Sequence, residues 1–113
     1  MEEDSEIATH RIMECRTATT FRDRFFGLMG RKDLSRVFLL FPACASIHTF
    51  FMRGAIDVVF LDPQSRVLAV YPAFRPWRVL TAPKGTRDTL ELPPGFAREH
   101  RIEPGDLIEC QRG

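Results

Sequence analysis

The strongest constraint on the fold is an apolar run, I-D-V-V-F-L, at residues 56–61. The turn signal D-P-Q-S follows it, and a second apolar run, R-V-L-A-V-Y, occupies residues 66–71. Together they predict a β-hairpin. Because both faces of this hairpin are apolar, other parts of the chain must cover both. We therefore expect a closed or half-closed sheet that resembles a small β-barrel, rather than an open single layer.

Other segments add to this framework. The run V-F-L-L-F at residues 37–41 predicts a strand buried on both faces. Alternating patterns predict strands at residues 11–18, at 88–92 with Leu90 and Leu92 facing inward, and at 107–110. An apolar stripe after Thr20 predicts a helix that ends at Gly30, and a helical turn is expected at 96–100. The predicted class is α+β: a mostly antiparallel, small β-barrel-like sheet with one short helix packed against it.

Composition limits the kinds of protein to consider. The 113 residues suit one domain, and a formal net charge of +1 gives no general attraction to nucleic acid or to an anionic membrane. The three cysteines contain no C-x-x-C pair, which argues against a disulfide framework and against a zinc knuckle. We therefore expect no metal, no cofactor and no nucleic-acid partner.

The N-terminus and the lengths of the apolar runs bear on location. The sequence begins M-E-E-D-S-E, an acidic start unlike a signal peptide, and no apolar run approaches the length of about 18 residues that a membrane span needs. From these features we expect a cytoplasmic protein without membrane contact, and we also expect a monomer. Residues 1–10 are expected to be a flexible acidic N-terminus.

Four motifs carry a resemblance to a known family. They are G-L-M-G-R at residues 27–31, S-I-H-T-F-F-M-R-G-A-I-D-V-V-F-L-D at 46–62, L-E-L-P-P-G at 90–95 and I-E-P-G-D at 102–106. In this order they resemble the DUF192 family, small domains with no known function, and the resemblance covers roughly residues 12–110. It implies an α+β fold with a small barrel-like sheet and a short helix, and it implies no activity. Residues 11–113 are accordingly expected to form a single DUF192-like domain. Many relatives carry a secretion signal, which this sequence does not show.

One candidate chemistry is nucleophilic catalysis by Cys44 with His48 as base. In an extended segment, residues four apart are separated by about 13 Å, whereas in a helical turn they lie about 5–6 Å apart. The sequence does not decide between these two conformations. A metal site that uses Cys44, His48 and Asp57 would lack the paired spacing typical of zinc ligands.

A binding site uses more of the polar residues in this region. Ser46, His48 and Thr49 offer hydrogen-bond donors and acceptors, and Arg53 offers a bidentate fork for a carboxylate or phosphate. Asp57 lies among apolar strand residues, so its carboxylate needs a partner. Two alternatives remain open: a structural pair with an arginine or histidine, or a role in orienting Arg53 or His48 for a ligand.

A second candidate segment lies in a proline-rich stretch at residues 72–85. Trp77, the only tryptophan, is flanked by Arg75 and Arg78. Tryptophan stacks on flat rings and arginines bind phosphates. The alternative is that Trp77 packs as a lid over one end of the sheet.

We therefore expect a cofactor-free domain that binds a small polar or anionic ligand, or a protein partner, at a polar cluster at one end of the sheet. A hydrolase or transferase that uses Cys44 and His48 is the first alternative. The second is a structural interaction module with an exposed patch of Phe50, Phe51 or Phe74. The expected binding residues are Ser46, His48, Thr49, Arg53, Asp57, Arg75, Trp77 and Arg78.

Overall fold

The computed structural model describes residues 7–12, 16–17, 38–42, 46–48 and 54–110, with the backbone alone described for 16–17, 42 and 46–48. These residues form nine strands and one short helix. In chain order they are β1 (Thr9–Ile12), β2 (Arg16–Thr17), β3 (Leu39–Pro42), β4 (Ser46–His48), β5 (Ile56–Leu61), β6 (Val67–Phe74), β7 (Val79–Thr81), β8 (Asp88–Leu92), α1 (Phe96–Glu99) and β9 (Leu107–Cys110).

The described strands form three sheets. The largest has five strands in the order β2-β3-β8-β5-β6, and the other two pair β1 with β9 and β4 with β7. The β1–β9 and β2–β3 pairs are parallel, whereas the remaining pairs are antiparallel. Closure into a barrel is not confirmed, because β2 and β6 form the two edges of the largest sheet. The described part of the chain is a mostly antiparallel β fold with one short helix.

Strand β5 lies between β8 and β6 and is buried along its whole length. Its side chains alternate between two hydrophobic clusters on opposite faces of the sheet. Val59 and Leu61 belong to the first core, together with Leu90 and Leu92 of β8. The second core consists of Leu39, Phe41, Ile56, Val58 and Phe60. Strand β5 of the predicted hairpin is therefore covered on both faces, whereas β6 is buried at Val67 and exposed from Tyr71 to Ala73. Each buried aliphatic side chain stabilises the fold by about 1.5–3 kcal/mol.

Several predicted elements agree with the structure within one or two residues. Strands β8 and β9 match the predicted ranges, and α1 begins where the helical turn was predicted and ends one residue before its predicted end. The segment at residues 11–18 contains parts of two strands, β1 and β2, rather than one strand. Strand β1 begins at Thr9, within the range expected to be flexible. The predicted helix at residues 20–29 lies outside the described residues.

Two strands were missed by the sequence prediction. Strand β4 lies in the polar stretch whose conformation the sequence does not decide, and β7 lies in the proline-rich stretch at residues 72–85. Each has three residues, which is too short for an alternating pattern to show. Their identity as strands depends on their pairing with each other.

The N-terminal strand is held by a side-chain contact. His10 Nε2 lies 2.8 Å from Asp106 Oδ2, and the same oxygen accepts a hydrogen bond from the backbone N–H of Glu103 at 3.0 Å. Burial acts to raise the pKa of Asp106, but the hydrogen bonds and the charge of His10 outweigh it, so the pKa lies below its ordinary value. The parallel β1–β9 pair places the side chain of His10 against Asp106, where it is 15% exposed.

In the described part of the chain, no helix is long and apolar enough to span a membrane.

Candidate functional site

The structure covers the predicted site residues unevenly. Cys44, Thr49 and Arg53 lie outside the described residues, as do Phe50 and Phe51. Ser46 and His48 are described by their backbone, which belongs to β4. The side chains of Asp57, Arg75, Trp77 and Arg78 are within the described region.

Strand pairing brings the two predicted segments together. In the antiparallel β4–β7 pair, His48 lies opposite Val79, and Val79 directly follows Arg78 in the chain. The backbone of Ser46–His48 therefore adjoins the residues that directly follow Arg78, although the two segments are far apart in sequence. The backbone of Ser46–His48 is extended. The pairing of Cys44 with His48 stays a prediction, because Cys44 lies outside the described residues.

The carboxylate of Asp57 is fully buried and accepts three backbone hydrogen bonds. Oδ1 accepts from the N–H groups of Ala73 at 2.8 Å and Gly95 at 3.2 Å, and Oδ2 accepts from that of Ala97 at 2.8 Å. These backbone groups supply the partners that a buried carboxylate requires. Sequence reasoning looked for an arginine or histidine and missed them, because a backbone donor has no side-chain signature.

A β-bulge lies directly across from Asp57. Ile56 pairs with Phe74 but Val58 pairs with Tyr71, so β6 contains one extra residue at this point. Ala73 adopts a left-handed backbone conformation with φ of 52°, which costs a non-glycine residue about 1–2 kcal/mol. Its N–H group points to Asp57 and so helps to hold this conformation.

The β6–β7 loop, residues 75–78, follows this bulge after a single residue. Trp77 is 55% exposed, and Arg75 and Arg78 are exposed on either side of it. The backbone of Trp77 is left-handed, with φ of 60°, which is unusual for a bulky side chain. A packing lid would bury the indole ring, so the exposure of Trp77 does not fit that alternative.

Phe74 does not provide the exposed patch expected of an interaction module. Its side chain is half-buried and packs against the second core, where it also meets Tyr71 edge-to-face with ring centroids 6.5 Å apart. The apolar surface that is exposed nearby belongs to Trp77 and Val79 instead.

A polar pair that the sequence prediction placed on the outer face lies in the interior. Thr89 and Glu91 alternate with the inward-facing leucines of β8, which predicts solvent exposure, yet Thr89 is 0% and Glu91 is 4% exposed. Because both faces of the sheet are covered, successive side chains along β8 point alternately into two buried cores, and not alternately inward and toward solvent. Burial raises the pKa of Glu91 to about 8.

Among residues 7–12, 38–41 and 54–110, no three histidine, cysteine or acidic side chains are grouped so that they could hold a metal ion.

The fold and these polar positions define a small, mostly β domain with buried carboxyl groups on both faces of its main sheet. Comparison with known proteins specifies the family. The model of the DUF192 family, described as an uncharacterised ACR, matches residues 3–110. The chain belongs to this family.

Curated relatives carry the family designation UPF0127 and no stated activity. A UPF0127 protein of Thermococcus kodakarensis is 43% identical over 96 residues, which are 80% of this chain and 60% of that protein. A UPF0127 protein of Pyrococcus furiosus is 35% identical over 104 residues, 88% of this chain and 89% of that protein. The chain thus spans less than two thirds of the first relative and most of the second.

A solved structure shares the fold. The crystal structure of a protein of unknown function from Novosphingobium aromaticivorans superimposes with a TM-score of 0.71 at 26% sequence identity. The match covers 80% of this chain and 70% of that one. The fold and family are therefore shown, and a function must be inferred from the site.

Proposed function

We propose that this domain binds a small anionic ligand at the β6–β7 loop. Arg75 and Arg78 contact the carboxylate or phosphate of the ligand, and the indole ring of Trp77 contacts a flat or apolar part of it. The observation that carries this proposal is that Trp77 stands exposed in a left-handed backbone conformation between two exposed arginines. Such strain persists where the surrounding structure enforces it, and it is concentrated at ligand-binding sites.

The structure around the loop supports a preformed binding surface. The bulge at Ala73 is bonded to Asp57, so the strand end from which the loop departs is anchored to the core. At its other end the loop continues into β7, which is paired with β4. A loop held at both ends loses little conformational entropy on binding.

In this proposal the polar residues of and after β4 form the second side of the binding surface. The pairing of His48 with Val79 supports that arrangement, since it puts the end of β4 next to the loop. Ser46, His48, Thr49 and Arg53 then supply further donors to the anion. Asp57 positions the loop and does not contact the ligand, because its carboxylate is buried and bonded to backbone groups.

The test uses the fluorescence of Trp77, which reports on the loop alone because the chain has one tryptophan. The protein is titrated with inorganic phosphate, benzoate and adenosine monophosphate as probes of anion and ring binding. We expect a saturable change in emission with at least one of them. Arg75→Ala and Arg78→Ala should each weaken binding about tenfold, since each removes a charge-assisted hydrogen bond.

The matched control is Arg66→Ala. Arg66 is exposed and directly precedes the first residue of β6, at the opposite end of that strand from the loop, and its loss changes the net charge equally. Arg66→Ala should leave binding unchanged. The proposal is wrong if no probe gives a saturable change, or if Arg66→Ala weakens binding as much as the loop variants do.

A further inference from the structure

The buried carboxylate of Asp57 connects the first turn of α1 to the end of β6. Its Oδ1 atom accepts hydrogen bonds from the N–H groups of Ala73 at 2.8 Å and Gly95 at 3.2 Å, and Oδ2 accepts one from that of Ala97 at 2.8 Å. Ala73 lies just before the β6–β7 loop, whereas Gly95 and Ala97 lie at the start of the helix. Because Oδ1 serves both segments, a shift of one donor changes the position of the acceptor for the other.

The helical side of this junction is attached to the first core. Ala97 is buried in that core, and Phe96 packs against it and meets the ring of Phe38 edge-to-face with centroids 5.1 Å apart. The helix begins at Gly95, whose φ of 90° is a conformation that side chains other than glycine rarely adopt. The first turn of α1 therefore holds the carboxylate of Asp57 from a fixed position.

The strand side of the junction is strained. Ala73 has a φ of 52°, and a left-handed conformation costs alanine a similar amount of free energy to what a hydrogen bond to a charged group contributes. The conformation of Ala73 therefore depends on a carboxylate that is positioned to accept its N–H. Phe74 alone separates Ala73 from the loop, so a different backbone angle at Ala73 redirects the chain where the loop begins.

We propose that the first turn of α1 controls the conformation of the β6–β7 loop through Asp57. While Gly95 and Ala97 hold the carboxylate, Ala73 is left-handed and the loop keeps its observed conformation. When the turn is displaced, the carboxylate moves, Ala73 relaxes to an unstrained backbone angle and the loop changes direction. The coupling is reciprocal, so a change at Ala73 also alters the hold on α1. It requires no ligand, and its consequence that displacement of the turn lowers anion affinity rests on the proposed function.

Two glycines offer a matched pair of variants for the test. Gly95 and Gly105 have φ values of 90° and 95°, and at either position an added Cβ meets no atom of the described residues within 4 Å. Gly95→Ala and Gly105→Ala therefore introduce similar backbone strain. Their hydrogen bonds differ, because Gly95 donates to Asp57 whereas Gly105 donates to the carbonyl of Val67.

The measurement is amide hydrogen exchange by NMR. We expect Gly95→Ala to lower the protection of the Ala73 amide about tenfold relative to Gly105→Ala, since the acceptor of that amide is displaced. The amide of Val59, in a strand paired on both sides, is the reference for global unfolding. The indole N–H signal of Trp77, the only tryptophan, reports on the loop. It should shift in Gly95→Ala and stay in place in Gly105→Ala.

A second pair of variants tests the coupling in the opposite direction. Ala73→Gly removes the strain at Ala73, so the hydrogen-bonded state gains population and the protection of the Ala97 amide should rise about fivefold. Ser65→Gly is the control, because Ser65 is also left-handed, with φ of 63°, and precedes the opposite end of β6. Ser65→Gly should leave the Ala97 amide unchanged.

Thermal unfolding of each variant is measured first, and if Gly95→Ala does not fold, the comparison of Ala73→Gly with Ser65→Gly decides. The proposal is overturned if both glycine-to-alanine variants give the same Ala73 protection and the same Trp77 signal. Equal effects of Ala73→Gly and Ser65→Gly on the Ala97 amide also overturn it. Titration with inorganic phosphate, benzoate and adenosine monophosphate follows. Absence of binding by the wild type would contradict the anion site alone, because the exchange rates and the indole signal test the coupling without a ligand.

Discussion

The carboxylate of Asp57 and the backbone N–H group of Ala73 form a 2.8 Å hydrogen bond across the bulge between β5 and β6. The same carboxylate accepts hydrogen bonds from Gly95 and Ala97 at the start of α1. One buried side chain thus joins β5, the end of β6 and the helix. The β6–β7 loop begins one residue beyond this junction, so its starting point is determined by the core.

The first prediction concerns the free energy of unfolding when Asp57 is replaced. In Asp57→Asn an amide NH₂ group must face at least one of the three backbone donors, so a buried N–H loses its acceptor. We expect a loss of about 2–4 kcal/mol, measured by urea denaturation. Glu99→Gln is the control, because it removes one negative charge from an exposed position. A result for Asp57→Asn within about 0.5 kcal/mol of this control would contradict the structural role of Asp57.

The second prediction concerns pH and Glu91. The ordinary carboxyl pKa of 4.5 applies to the unfolded chain, whereas burial raises the pKa to about 8 in the folded protein. Between these pH values the unfolded chain has released a proton that the folded protein keeps. The free energy of unfolding should therefore fall as the pH rises, by about 1.4 kcal/mol per pH unit from this group, and level off above pH 8.

Glu91→Gln should remove this contribution, since glutamine does not ionise. Urea denaturation at several pH values compares its slope with those of the wild type and of Glu103→Gln, an exposed control. We expect the wild type and the control to share the steeper decline. Equal slopes for all three proteins would show that Glu91 is ionised in the folded state at neutral pH.

The third prediction concerns the attachment of β1 through His10 and Asp106. Loss of this contact should loosen the β1–β9 pair, in which the backbone N–H of Leu107 donates to the carbonyl of Ala8 at 2.9 Å. We expect His10→Ala to lower the hydrogen-exchange protection of the Leu107 amide about tenfold, because the substitution removes a hydrogen bond to a charged group. His100→Ala, at an exposed histidine, should leave that amide unchanged.

The contribution of the His10–Asp106 contact to the free energy of unfolding depends on pH with the opposite sign to that of Glu91. Because the pKa of Asp106 is lowered on folding, its contribution is complete above the ordinary value of 3.8 and is lost as the pH falls through the lower folded value. The wild type should therefore lose stability below pH 3.8 more steeply than Asp106→Asn. Acid titration followed by circular dichroism measures both proteins, and parallel curves would argue against a lowered pKa.

The fourth prediction concerns the hydroxyl group of Thr89, which has no hydrogen-bonding partner among the described residues. Thr89→Val replaces it with a methyl group of similar size in an apolar environment, so the protein should gain about 1 kcal/mol of stability. Thermal unfolding measures the gain, with Thr81→Val on the exposed side of β7 as the control. Destabilisation by Thr89→Val would mean that the hydroxyl group is hydrogen-bonded in the folded protein.

The sequence by itself determined the elements whose signal is local. The β5–β6 hairpin, β8 and β9 follow from apolar runs and turn residues, because hydrophobic periodicity acts over a few neighbouring positions. The four motifs also indicated the family, which the match over residues 3–110 confirms. For the candidate site, the sequence singled out Asp57 as a buried carboxylate that needs partners.

Only the tertiary structure decided what those side chains meet. The partners of Asp57 are backbone N–H groups at Ala73, Gly95 and Ala97, and a backbone group leaves no trace in residue type. Glu91 reads as an outward-facing residue along β8, and it is buried because more distant segments cover the second face. The pairing of His48 with Val79 likewise joins two segments that no local pattern connects. Burial and pairing between distant segments depend on how the whole chain packs, whereas the strand signals depend only on neighbours in sequence.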